Sequence, residues 1–169
     1  MRLVHAALVS MFLASSPVGV AAQSHGGHVD SRDDTAFRAM QMRGRVVMGV
    51  DQYTSIHRFD ALPDGGRIEL QRDRDDTAGA LAIRDHMRAI ARAFAAGDFS
   101  APATVHLETV PGVRVMRARR KAIRYETSDL ARGAALRIRT SDRDAVAAVH
   151  EFLAYQRREH RTKPSSHAH

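Results

Sequence analysis

Twice along the chain, two strand-like segments separated by a tight-turn signal lead straight into a capped amphipathic helix. This repeated order constrains the fold more than any other feature. Residues 45–59 (RVVMGVDQYTSIHRF) and 67–73 (RIELQRD) flank LPDGG, whose Asp-Gly step supplies the positive φ of a hairpin turn. A helix follows over residues 76–96, with Asp75 or Asp76 as its cap and Gly97 as its stop. The order then recurs as a strand at AIRYETS (122–128), a turn through DLARG (129–133), a strand ALRIRT (135–140) and a helix over 143–160. Ser141 and Asp142 both suit the cap of that second helix. Two pseudo-repeated ββα units of this kind join their strands into one antiparallel sheet with two helices packed on one face, an α+β fold.

Helical periodicity supports the arrangement and places several imidazoles. In the first helix Ile83, Met87, Ile90 and Phe94 share one stripe, with Arg84, Asp85, Arg88 and Arg92 opposite and His86 on the margin. In the second, Val146, Val149, Leu153 and His160 share a stripe, Gln156 lies alongside, and His150 borders the other flank. Each helix thus sets a histidine beside the face that meets the sheet. Residues 98–121 (DFSAPATVHLETVPGVRVMRARRK) join the halves. Pro102, Pro111 and Gly112 predict a long extended crossover with a short strand at TVHLE, and Arg117, Arg119, Arg120 and Lys121 read as a solvated edge that discourages strand pairing.

The ends of the chain have a different character. Residues 1–22 combine Arg2, an apolar run from Leu3 to Leu13 and small residues Ala21 and Ala22, the pattern of a secretory signal peptide. That run is too broken and short for the roughly 20 apolar residues of a membrane span. The protein is therefore expected in the periplasm or secreted. Residues 23–36 and 162–169 lack periodicity and read as disordered histidine-containing arms, which leaves 37–161 as a single domain.

Export, together with the absence of cysteine, narrows the chemistry. Disulfides, thiolate metal sites and cysteine nucleophiles are all excluded, so any metal must be held by His, Met, Asp or Glu. The net charge of +7 would suggest nucleic acid in a cytosolic protein. An exported chain with few aromatic residues for base stacking suits anionic surfaces better, and a plainly solvated arginine-rich surface better still.

The ten histidines give the leading functional expectation, a copper or zinc ion held by imidazole. His57, His86 and His150 are the preferred ligands, with His106, His160 and Met116 in reserve. Methionines 40, 42, 48 and 116 would add soft thioethers that favour Cu(I). His150 and His160 lie roughly 15 Å apart along one helix and cannot share an ion. Strand alternation puts His57 on the face of Tyr53, Ser55 and Phe59, so His57 points at the helices if Phe59 packs beneath them.

Other readings stay open at this point. A histidine at the margin of an apolar stripe often donates to a backbone carbonyl instead of ligating, and the methionines suit packing. A sheet face lined by Val47, Tyr53 and Phe59 would offer an apolar surface for a protein partner or a homodimer. An enzyme is the third class, but no G-x-S-x-G, S-x-x-K, H-E-x-x-H or P-loop run occurs.

The run MGVDQYTSIHRF resembles the MGFDQ-x-x-T-x-H-H-F signature of a group of small exported bacterial proteins of unassigned function. Further similar stretches are IRDHMRAIARAFAAGDFSAP, a PG followed by Met, and AVHEFLAYQRREHRT, so the resemblance spans residues 37–162. Val50 stands where the signature has Phe, and Arg58 where a second His is common. Some members carry the label aspartate carbamoyltransferase. That activity would imply two α/β domains and a phosphate-binding S-T-R-T loop, and no such run occurs here.

Overall fold

A computed structural model of the protein describes residues 31–49 and 51–162. Four strands form one antiparallel sheet in the order β1-β2-β4-β3: β1 (Ser55–Leu62), β2 (Gly65–Arg72), β3 (Arg124–Leu130) and β4 (Gly133–Arg139). The described helices are α1 (Ser31–Met48), α2 (Thr77–Ala96), α3 (Ser100–His106), α4 (Val113–Ala118) and α5 (Arg143–Glu159). The chain forms the expected α+β fold, with a third long helix, α1, beside the two expected ones.

One face of the sheet carries the core. His57, Leu70 and Ala134 stand in register across β1, β2 and β4, and Phe59, Ile68 and Leu136 form the next row. Ile83, Met87 and Phe94 of α2 and Val149, Phe152 and Leu153 of α5 pack onto these rows. Each fully buried aliphatic or aromatic side chain contributes about 2 kcal/mol by removal from water. Gly66 lets α5 approach the sheet, because Leu153 Cδ1 occupies the space any β-carbon there would need.

The two helices are exchanged between the halves. α2 follows the first hairpin but lies chiefly over β3 and β4, whereas α5 follows the second and lies over β1 and β2. Matching caps begin them: Asp76 accepts from the Gly79 amide at 2.9 Å and Asp142 from the Ala145 amide at 3.0 Å. Matching ties then fasten them. Arg84 donates to the carbonyl of Leu130, the last residue of β3, at 2.7 Å. His150 Nε2 donates to the carbonyl of Leu62, the last residue of β1, at 2.9 Å. Arg84 and His150 are each the eighth residue after their caps, so the duplicated plan extends to individual hydrogen bonds. Asp142→Ala is expected to lower stability by about 1 kcal/mol through loss of the cap, read as a shifted urea midpoint with unchanged slope.

Several expectations need correction. Residues 45–48 end α1 instead of starting a strand, and residues 31–36, expected in a disordered arm, begin that helix. The signal peptide and most of both arms lie outside the described residues. The crossover is not extended: it holds α3 and α4, and TVHLE spans the end of α3. Pro102 is tolerated there because it sits in the first turn, where its missing N–H has no intrahelical partner.

The basic run does not guard a sheet edge. Arg117 Nε donates to the Gly97 carbonyl at 3.0 Å and Arg120 packs beside Gly97, so both set positive charge at the C-terminus of α2. Nor does the expected apolar sheet face exist. Val47 lies in α1, Tyr53 is 64% exposed in a 3-10 turn, and Phe59 is buried under the helices. The other side of the sheet carries charge instead, with Arg67 paired to Glu69 at 2.7 Å. Among the described residues no helix is long and apolar enough to cross a membrane.

Candidate functional site

Beneath α1 and α3, between α2, α5 and the first hairpin, lies a chamber of about 80 Å³. Four of the histidines line it, each from a different part of the fold: His57 from β1, His86 from α2, His106 from the end of α3, and His160 from the C-cap of α5. The rest of the wall is aliphatic, aromatic or thioether, apart from Gln156. Alternation along β1 puts His57 there, since Phe59 does pack under the helices. His160 reaches it as the last member of the apolar stripe of α5, continuing Val149, Leu153 and Gln156.

The rings stand close together. His57 stacks on His160 with centroids 5.6 Å apart and planes 17° apart, and Phe59 lies against both, 6.2 Å from His57 and 5.5 Å from His160. His106 meets His160 edge-on at 5.3 Å and Tyr155 at 5.0 Å. Its Nε2 lies 3.1 Å from Gln156 Oε1. When that oxygen accepts, Nε2 carries the proton and Nδ1 keeps its lone pair. His57 is buried, and neither of its ring nitrogens has a hydrogen-bond partner.

Burial decides the protonation state. It pushes His57 down to about 4, with repulsion from His86 adding to the effect. It pushes His160 down to about 3, reinforced by His57 and then His106. His86 is lowered by burial alone. In His106 burial also lowers the value, opposed by Gln156, Glu159 and Glu108. All four rings are therefore neutral at neutral pH, the form in which imidazole ligates metals.

No protein-family model, curated protein or solved structure matches the chain. The chamber brings together some of the residues expected as ligands and leaves others outside. His57 and His86, both preferred, meet there with the reserves His106 and His160. His150 does not join them, because its ring ties α5 to β1, as Arg84 ties α2 to β3. Counted from the caps, the residue that corresponds to His86 is Phe152, not His150, and it also lines the chamber. Met116 lies wholly within the apolar core, on α4, and does not line the chamber. Met48 and Met87 do line it. In the sequence Met48 suits packing and Met87 is an ordinary stripe residue, and only the folded chain brings both to the chamber wall.

Among the described residues no three His, Asp or Glu side chains are set to hold one ion together. Pairs are another matter. Two metal–nitrogen bonds of about 2 Å, one to each ring, hold imidazole centroids roughly 5–6 Å apart. The separations of 5.3 Å and 5.6 Å around His160 match that range in distance. In the stacked pair of His57 and His160 one ring must also turn for the two in-plane lone pairs to meet at an ion. A second cavity, of about 290 Å³, adjoins at His106 and is walled by Arg43, Glu108, Tyr155, Arg158, Glu159 and Arg161 among others. There the Tyr155 hydroxyl donates to Glu108.

Proposed function

We propose that the chain is an exported, periplasmic or secreted protein that binds a copper or zinc ion through the imidazoles of its chamber and performs no catalysis. His57 carries this reading. A buried polar group without a hydrogen bond costs on the order of 1–3 kcal/mol, and His57 has two such nitrogens in a ring kept neutral. A bound ion satisfies one of them. The small volume supports the same conclusion, since pockets for organic ligands usually start near 300 Å³.

His57 and His160 would hold the ion, with Gln156 orienting the neighbouring His106 from behind. The ion supplies the charge and the coordination. The protein supplies neutral donors, an apolar wall and two rings held close together. The run MGVDQYTSIHRF provides His57 and Phe59 to this chamber, and on that run we propose membership of the exported family it resembles. Its Thr54 and Ser55 receive Arg72 at 2.8 and 3.1 Å, and Arg72 also reaches Asp76 at 2.9 Å, which fixes the start of β1 to the start of α2.

Titration of the purified protein with Cu and Zn tests the proposal. One equivalent of binding is expected to disappear in His57→Ala and in His160→Ala, while His150→Ala retains it. Weak binding by the histidine-rich ends stays the same in all variants. Circular dichroism confirms that each variant is folded, and His57→Gln serves if His57→Ala is not. Parent-like binding by the folded His57 and His160 variants would rule the chamber out.

A further inference from the structure

From the composition of the chamber wall we infer that its ion is monovalent copper, Cu(I), held with the help of the Met48 and Met87 thioethers, and not Zn(II) or Cu(II). The inference rests on the proposed metal-binding function and adds the identity and charge of the ion. Two observations support it independently.

The first is charge. No aspartate or glutamate lines the chamber: its polar members are His57, His86, His106, His160 and Gln156. Glu108 and Glu159 stand on the far side of His106, in the adjoining polar cavity. Charging an ion in an apolar surrounding costs energy in proportion to the square of its charge, so a dication incurs about four times the penalty of a monocation of similar size. Nothing on this wall offsets the second charge. Proteins that bury Zn(II) or Ca(II) supply thiolates or carboxylates to do so, or leave a position to water.

The second is softness and ligand number. Imidazole suits several first-row metals, but thioether sulfur selects Cu(I). Met87 is 3% exposed and lines the chamber from α2, and Met48 lines it from the end of α1. Tetrahedral zinc needs four donors. The chamber presents close pairs of rings, without a ready three-ligand group among the described residues. A d¹⁰ monocation accepts two or three donors and has no geometry to enforce. Binding is coordination alone: no electron moves, and the ion enters already reduced.

Anaerobic competition against a chromogenic Cu(I) chelator, with parallel Zn(II) titration, tests the inference on the full protein. The parent is expected to hold one equivalent of Cu(I) that a large excess of Zn(II) does not displace and that His57→Ala loses. The Met48→Leu, Met87→Leu double variant keeps the apolar volume and is expected to weaken Cu(I) about 10- to 100-fold, with Zn(II) binding unchanged. The X-ray absorption edge of the loaded protein should report Cu(I) with sulfur among its neighbours. A His57-dependent site that takes Zn(II) as tightly as Cu(I), or folded methionine variants with parent affinity, would overturn the inference and leave the metal site standing. A Cu(I) equivalent that survives in folded His57→Ala would remove the site itself, and the inference with it.

Discussion

Gly112→Ala is expected to destabilise the fold by about 3 kcal/mol or more, enough to remove much of the stability of a domain this size. Gly112 precedes α4 with φ +80°, a left-handed conformation that costs a residue with a side chain about 1 kcal/mol. The larger cost is contact. A β-carbon at this position would overlap the carbonyl oxygen of Ala148 and press on the backbone of Phe152, both in the middle of α5. Backbone there cannot give way without breaking the helix that carries Val149, Phe152 and Leu153 into the core. Gly97 provides the comparison, because its φ of +83° is nearly the same. Its nearest neighbour would be Arg120 Cδ at 3.1 Å, the flexible part of a long side chain. Gly97→Ala should therefore cost only about 1 kcal/mol. Urea unfolding of both variants measures the difference, and equal losses would show that the close approach of α5 at Gly112 adds little to the cost of its backbone conformation.

Acid should loosen the protein well before the carboxylates titrate. In the unfolded chain an imidazole takes up its proton near pH 6.5, whereas in the native protein burial holds His57 down to about 4 and His160 down to about 3. The unfolded state thus binds more protons throughout the window between, and linkage makes stability fall as pH drops through it. The stability is fully present above about pH 6.5 and is lost progressively towards pH 4 for His57 and pH 3 for His160. At about 1.4 kcal/mol per pH unit, His57 alone accounts for a loss on the order of 3 kcal/mol. The groups facing it are His86, His160 and His106, none of which carries a negative charge that would rescue the protonated ring. Carboxylates with lowered values, Asp64, Asp76 and Asp98, act below about pH 4 and can be separated on that basis. Unfolding midpoints from pH 7 to pH 4 provide the measurement, and His57→Leu should flatten the curve. A parent curve flat over that interval would contradict the buried neutral rings.

Much of the fold is legible in the sequence because local signals agree with the global plan. The Asp64-Gly65 step, the Asp caps and Gly97 mark a hairpin and two helices within a residue or two of where they form. The inward aim of His57 follows from Phe59 two positions on. Other parts are hidden by competing signals. Val46, Val47 and Met48 look like a strand because they are consecutive and partly β-branched, yet Met40, Gly44, Val47 and Met48 recur with helical spacing, and Gly44 disguises the stripe. Pro102 and Pro111 read as breaks, although proline in the first turn of a helix, or just before it, interrupts nothing. His150 misleads for a subtler reason. Its distance from the cap matches Arg84, so the repeat itself holds the information that it ties a helix to a strand end. The assembly of the chamber is the least legible part, because His106 and Met48 arrive from α3 and α1, neither of which belongs to the repeat.

The exchange of helices has a consequence for how the molecule comes apart. Either ββα half, severed from the other, would keep a hairpin with no helix over it and a helix with no hairpin under it. Neither piece could shield its own oily surface. The halves are interlocked like clasped hands, so loosening should proceed for both together, and the chamber walls, drawn from both sides of that clasp, exist only while it holds.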